Sequence, residues 1–230
     1  MEHAFTWYSV TPFSKWIPIH VFHSLLALLI LVVVSWRIRV SLRKAKDPLV
    51  PEASFSMRNV CEIVVQALQG QLRSIIGHHG ERYMPLIGGL FLYIFFCNIL
   101  GVIPGFVPAT DSLSTNLSMA IIVFVYYNYQ GFKEHGVGYL KQFAGPILWL
   151  APLMFLIELL SHLFRPMSLS IRLFGNMFGD HMVLGIFSGL VPLVVPVIFM
   201  ILGIVVSLIQ AFVFAVLATV YIALAVSHEH

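Results

Sequence analysis

Apolar residues run along this chain in long unbroken stretches, and polar residues gather between them. The first stretch, 19–36, is about one membrane span, since roughly 20 apolar residues cross a hydrocarbon core. Arg37, Arg39, Arg43, Lys44 and Lys46 follow it directly, so the positive-inside rule puts that end in the cytoplasm and the N-terminus outside. Pro48 and Pro51 then break the chain. Over 54–76 the pattern changes to helical spacing, with Phe55, Val60, Ile63, Val64, Ala67, Leu68, Leu72 and Ile75 apolar and Arg58, Glu62, Gln66, Gln69 and Arg73 polar. This predicts an amphipathic helix, lying on the cytoplasmic surface or covered by a partner helix. Spans are predicted again at 83–103 and 113–130. The loop between them carries Asp111 and no Lys or Arg, whereas Lys133 and Lys141 follow the second span. The loop is therefore outside. Tyr126, Tyr127 and Tyr129 read as an aromatic belt near the inner boundary.

Between 147 and 226 there are four Asp, Glu, Lys or Arg residues: Glu158, Arg165, Arg172 and Asp180. Two readings fit. One has three spans, 147–164, 168–190 and 193–226. The other has two long helices, 147–190 kinked near Pro166 and 193–226, which must tilt strongly to fit a bilayer. The pattern alone leaves both open.

Composition agrees with the pattern. Of the 230 residues, 59% are hydrophobic and 10% charged, with mean hydropathy +0.92, against about 25% charged in soluble domains. The chain is expected to be an all-α polytopic membrane protein forming a single membrane domain over 1–230. Barrel strands alternate over about ten residues, and these runs do not. The basic cluster after the first span is explained by topology, so nucleic acid is not an expected partner. Cys61 and Cys97 are expected to be free thiols. The N-terminus has no basic region and no small-residue cleavage site, so no removable signal peptide is expected. No Gly-rich loop ends in Lys-Ser or Lys-Thr, so no bound nucleotide is expected, and neither is a cofactor or a metal.

The chemistry concentrates on Arg172. A charge at bilayer depth costs roughly 2.5–3.5 kcal/mol on insertion scales and is by default a functional residue. The alternative is that Arg172, six residues past Pro166, snorkels to the headgroups. Asn176 lies four residues on and shares its helical face. Glu158, fourteen residues before, is close to four turns away on the same side, while His181, nine beyond, faces elsewhere. Gln210 is the sole amide side chain between Met182 and Val226, and a buried glutamine needs partners. Gly175 and Gly179, and Gly185 and Gly189, have the spacing that admits a close helix neighbour. Arg165, beside Pro166, reads as an interfacial anchor. His162 and Glu158, four apart, read as a helix-end pair.

The stretch Pro166-Met167-Ser168-Leu169-Ser170-Ile171-Arg172-Leu173-Phe174-Gly175-Asn176-Met177 resembles the signature of subunit a of bacterial F-type ATP synthases. Glu158-Leu159 upstream, and Gln210-Ala211-Phe212 to Val220-Tyr221 downstream, extend the resemblance. It implies the second reading, two long tilted helices contacting a rotor ring. It implies a proton-translocating stator in the bacterial inner membrane, non-catalytic towards ATP itself. Partners would be a ring of c subunits and the peripheral-stalk b subunits. Two aqueous half-channels would be separated by Arg172, the essential cation facing the rotor carboxylate. Glu158, Ser161, Asn176, Asp180, His181, Gln210 and Tyr221 would belong to the proton path, with the C-terminus cytoplasmic and the proton favoured over sodium. One departure stands out. The family often pairs a histidine and a carboxylate at the positions of His181 and Gly203. Here Gly203 has no side chain, and Asp180 is the acid at hand. Two other classes stay open: a secondary transporter, although no inverted repeat is evident, and a haem-binding membrane subunit using His23, His162 and His181.

Overall fold

The computed structural model describes residues 6–10, 16–44, 57–103, 105–136, 138–139, 151–190 and 194–226. The predicted breaks at Pro48, Pro51 and 191–192, and the predicted helical residues 54–56, 147–150 and 193, lie outside them. The described chain is helical: α1 (Trp7–Val10), α2 (Ile19–Lys44), α3 (Met57–Ile76), α4 (Met84–Leu100), α5 (Leu113–His135), α6 (Ala151–Leu190) and α7 (Val194–Val226), with 3-10 turns at His78–Tyr83 and Ala109–Asp111. It is an all-α polytopic membrane protein. Among the described residues, four segments are long and apolar enough to cross a membrane: Ile19–Arg43, His79–Leu100, Pro152–Phe187 and Pro196–Val226. α5 is long enough at 23 residues, but its Ser, Asn and Gln residues make it too polar to count with them.

Residues 151–190 and 194–226 form two long helices. α6 has 40 residues and runs unbroken through Pro166. At 1.5 Å per residue that is about 60 Å, twice a hydrocarbon core. One stripe of α6, His162, Leu169, Leu173 and Met177, is buried, while Leu163, Phe164, Ile171 and Phe178 are exposed. α7 is built the same way. Ala211, Phe214, Ala215, Ala218, Ile222 and Ala225 turn inward, and Ile201, Ile204, Val205, Leu208, Ile209 and Phe212 turn outward. The alanines on its buried stripe let α4 and α6 approach closely. Ile87, Phe91 and Ile94 of α4 and Met119, Val123 and Tyr127 of α5 complete one continuous core. Tyr127 is therefore a core residue, whereas Tyr129 stays exposed as a belt residue should.

α3 meets this core through Leu68 and Leu72. Val60 and Ile63 of the predicted apolar side remain exposed, and Arg58 of the predicted polar side is buried, its Nε–H donating to Glu62 at 2.7 Å. α2 joins through Ala27, packed with Cys97, Leu100 and Ala109, while Leu25, Leu28, Leu29, Val32 and Val33 are exposed. Two glycines set chain direction. Gly136 ends α5 at φ 57°, and Gly105 in the 101–112 loop adopts φ 87°. The Gly105 carbonyl accepts the Trp7 N–H at 3.1 Å. A Cβ at Gly105 would lie 2.7 Å from the Trp7 ring.

Candidate functional site

α6 carries polar groups at three levels. Arg172 occupies the middle one. It is exposed and shares a shallow surface depression with Phe164, Met167, Ser168 and Ile171. Among the described residues it makes no ion pair and no hydrogen bond. Among the described residues, nothing within 4 Å would meet a side chain at Gly175 or Gly179, nor at Gly185 or Gly189, so these glycines pack against none of them. One turn beyond Arg172, Asn176 donates its amide to Gln210 Oε1 on α7 at 2.7 Å. Gln210 is buried, and this bond joins the two long helices at the level of the arginine.

About 10 to 21 Å from Arg172 along the helix lies a cluster towards the N-terminal end of α6. Arg165 reaches back to Glu158, Nη2 to Oε1 at 3.4 Å, and its guanidinium lies 5.8 Å from the Tyr221 ring centre on α7. The Tyr221 ring sits 6.1 Å from that of Tyr127. Arg165 is thus folded onto an acid and an aromatic face. His162 is buried and turns to α5, with Nε2 at 2.9 Å from Asn128 Oδ1 and 3.3 Å from the Tyr127 hydroxyl. It does not pair with Glu158 as a helix-end couple. Ser161 is exposed.

The third cluster lies about 14 Å beyond Arg172 in the other direction. A small cavity there is lined by Asn98, Gly101, Val102, Met177, Asp180, His181 and Gly203, among others. Asp180 leans over Gly203: a Cβ built on that glycine would stand 3.0 Å from Asp180 Oδ2. The missing side chain on α7 is thereby matched by an acid on α6 that takes up its space. His181 Nδ1 lies 3.4 Å from Asp111 Oδ2. Beside Asp111, Thr110 donates to Asn98 Oδ1 at 2.6 Å, and Asn116 donates to the Thr110 carbonyl at 2.7 Å. Asn98, Thr110 and Asn116 are all buried. The sequence reading did not single out Asp111, Asn98, Thr110 or Asn116 as site residues. Their one signal is the presence of polar side chains on segments otherwise read as spans or as their loop.

The structure therefore brings Asn176 to Gln210 and Asp180 to Gly203, joins Arg165 to Glu158 and Tyr221, and leaves Arg172 without a polar partner among the described residues, between the two end clusters. Such an arrangement can hold water and titratable groups at two separated heights with a permanent cation between them.

Comparison with known proteins agrees. The profile of the family described as ATP synthase A chain matches residues 21–223. The "ATP synthase subunit a" of Bdellovibrio bacteriovorus is 45% identical over 193 residues, 84% of each chain. That of Geobacter sp. strain M21 is 47% identical over 174 residues, 76% of each chain. "ATP synthase subunit a 2" of Syntrophotalea carbinolica is 44% identical over 211 residues, 92% of this chain and 87% of the other. The fold and these matches define a multi-pass, proton-translocating membrane subunit of an ATP synthase. The chain belongs to the ATP synthase A chain family. That membership sets aside the transporter and haem-subunit alternatives.

Proposed function

We propose that this chain is the stator half of a rotary proton motor, in which Arg172 faces the carboxylate of a ring of c subunits and separates two aqueous half-channels. The observation that carries this is Arg172, exposed and without an ion pair or hydrogen bond among the described residues, on a largely apolar outer face. An unneutralised guanidinium there has a cost that a moving acid offsets each time it arrives. A rotor carboxylate in lipid is neutral, because a bare charge in hydrocarbon is expensive. Opposite Arg172 its ionised form is favoured, so its proton is released to one path. After further rotation it is reprotonated from the other. Arg172 stays charged at any working pH and so bars direct passage between the paths. The open glycines Gly175 and Gly179 support a rotor helix approaching that face closely.

In this reading Glu158, Ser161 and Tyr221 belong to the cytoplasmic path and Asp180 and His181 to the outer one, with Asn176 and Gln210 holding the arginine level. The N-terminus is outside and the C-terminus cytoplasmic, as the basic end of α2 requires. The chain forms a single membrane domain, with α5 a further span. The proton is the coupling ion, and a potential of 100 mV adds about 2.3 kcal/mol per charge carried. The b subunits of the peripheral stalk hold the chain against the ring's torque, and the membrane is the bacterial plasma membrane.

The test uses the assembled synthase in membrane vesicles. Arg172→Ala is expected to abolish ATP synthesis driven by a proton gradient while the complex still assembles. Arg172→Lys is expected to give less than a tenth of normal synthesis, since a desolvated ammonium can lose its proton where a guanidinium cannot. A normal rate in either variant refutes the assignment.

A further inference from the structure

We infer that Asp111 is the carboxylate partner of His181 and the residue that hands it protons from outer water. The inference rests on the reading above that the His181 end of α6 serves the outer path. It supplies the acid for a histidine that lacks one at position 203.

Three observations carry it. First, Asp111 ends the 3-10 turn Ala109–Asp111 and brings Oδ2 within 3.4 Å of His181 Nδ1, across 70 residues of chain. Second, its other oxygen, Oδ1, is buried with no hydrogen-bond partner among the described residues. A buried carboxylate oxygen in that condition is costly unless water completes it. Third, the same turn gathers two more unpaired buried atoms. Asn98 accepts from Thr110 through Oδ1 and leaves Nδ2 unpaired, and Asn116 donates to Thr110 and leaves Oδ1 unpaired. A donor and two acceptors around one turn match the two to four polar partners that a buried water takes. Asn98 also lines the cavity shared by Asp180, His181 and Gly203. Asn98 and His181 thus each touch both the outer turn and the cavity between the two long helices.

The step balances without any further reactant. A proton arriving through the bound water converts the Asp111 carboxylate to the acid. The acid O–H gives that proton to His181 Nδ1, which restores the carboxylate and makes the ring an imidazolium. The imidazolium then releases one proton into the cavity it shares with Asp180 and is neutral again. Asp111 needs no contact with the rotor, because His181 and Asp180 lie between it and Arg172 along the path.

The experiment measures passive proton flow, driven by a potassium diffusion potential, through membrane vesicles of the assembled synthase with the catalytic head removed. Asp111→Asn keeps the size and a hydrogen bond to His181 but cannot cycle a proton. It is expected to cut flow at least fivefold. Asp111→Glu restores the acid and is expected to recover at least half. Wild-type flow in Asp111→Asn, or no gain from Asp111→Glu, overturns the inference. A second measurement does not depend on the Asn variant. With Cys61→Ala and Cys97→Ala in place, Asp111→Cys is expected to react with a membrane-impermeant sulfonate thiol reagent added from the outer face, and flow is expected to stop. Failure to react from that face overturns the inference too. If Arg172→Ala blocks synthesis while Asp111→Asn conducts normally, this inference alone falls. If Arg172→Ala synthesises normally, the motor reading falls whatever Asp111 does.

Discussion

Asn176 on α6 and Gln210 on α7 are joined by a 2.7 Å hydrogen bond one helical turn from Arg172. The bond spans the two long helices at the height where a permanent cation is exposed. In an apolar setting each amide also protects the other from being left unpaired. Interhelical hydrogen bonds in membranes average about 0.6 kcal/mol in double-mutant cycles, with a maximum near 1.7. The coupling between Asn176→Ala and Gln210→Ala is therefore expected at about 0.5–1.5 kcal/mol in detergent unfolding. Proton flow is expected to fall several-fold in either single variant and no further in the double. Fully additive losses of flow are the result that removes this bond from the arginine's support.

Gly203 and Asp180 make a second prediction, this one about space. A Cβ on Gly203 would stand 3.0 Å from Asp180 Oδ2 and 3.4 Å from Val102 Cγ2. The carboxylate is the end of a flexible side chain and can give a few tenths of an ångström. Alanine also favours a helix by about 1 kcal/mol over glycine. Gly203→Ala is therefore expected to assemble normally and conduct within about twofold of wild type, the helix gain offsetting the contact. Gly203→Leu has no room beside Asp180 and is expected to lose at least five-sixths of its proton flow. If Gly203→Leu conducts normally, Asp180 is not held where the outer path needs it.

The parts of this site that could be read from the sequence are those fixed by helix geometry alone. Arg172 and Asn176 are four residues apart and so lie on neighbouring turns of one helix in any fold. The rarity of charge between 147 and 226 marks Arg172 without reference to any tertiary contact. What could not be read depends on which side of a helix meets a neighbour and on the path of an aperiodic loop. Asp111 reaches His181 because the 101–112 loop, shaped by Gly105 at φ 87° and closed by the Asn98–Thr110 bond, folds back over α6. No periodicity encodes that. His162 and Arg165 failed similarly. Spacing put His162 beside Glu158, but Tyr127 and Asn128 on α5 offered it better partners, and Arg165 took the acid. On α3 the sequence marked a polar and an apolar side, yet packing buried Arg58 with Glu62 and left Ile63 exposed.

His162 supplies the remaining prediction, which separates holding the helices together from moving protons. It is 7% exposed, donates from Nε2 to Asn128 Oδ1 at 2.9 Å, and packs edge-on against Phe124 and Tyr127 with ring centres 5.2 Å apart. Removing it leaves the Asn128 carbonyl with the Tyr139 hydroxyl at 3.3 Å and opens a hole the size of an imidazole between α5 and α6. The lost hydrogen bond costs about 0.5–1.5 kcal/mol, and the lost packing adds to that. His162→Ala is therefore expected to lower the melting temperature of the detergent-solubilised complex by several degrees. His162→Gln, which keeps a donor at a similar reach, is expected to recover part of the loss. His162 is buried against Asn128 and Tyr127 of α5, whereas Ser161 of the cytoplasmic path is exposed and Glu158 only half-buried, so proton flow per assembled complex is expected to stay within twofold of wild type in both variants. A His162→Ala complex that is as stable as wild type but conducts poorly would move this histidine from the scaffold into the cytoplasmic proton path, beside Glu158.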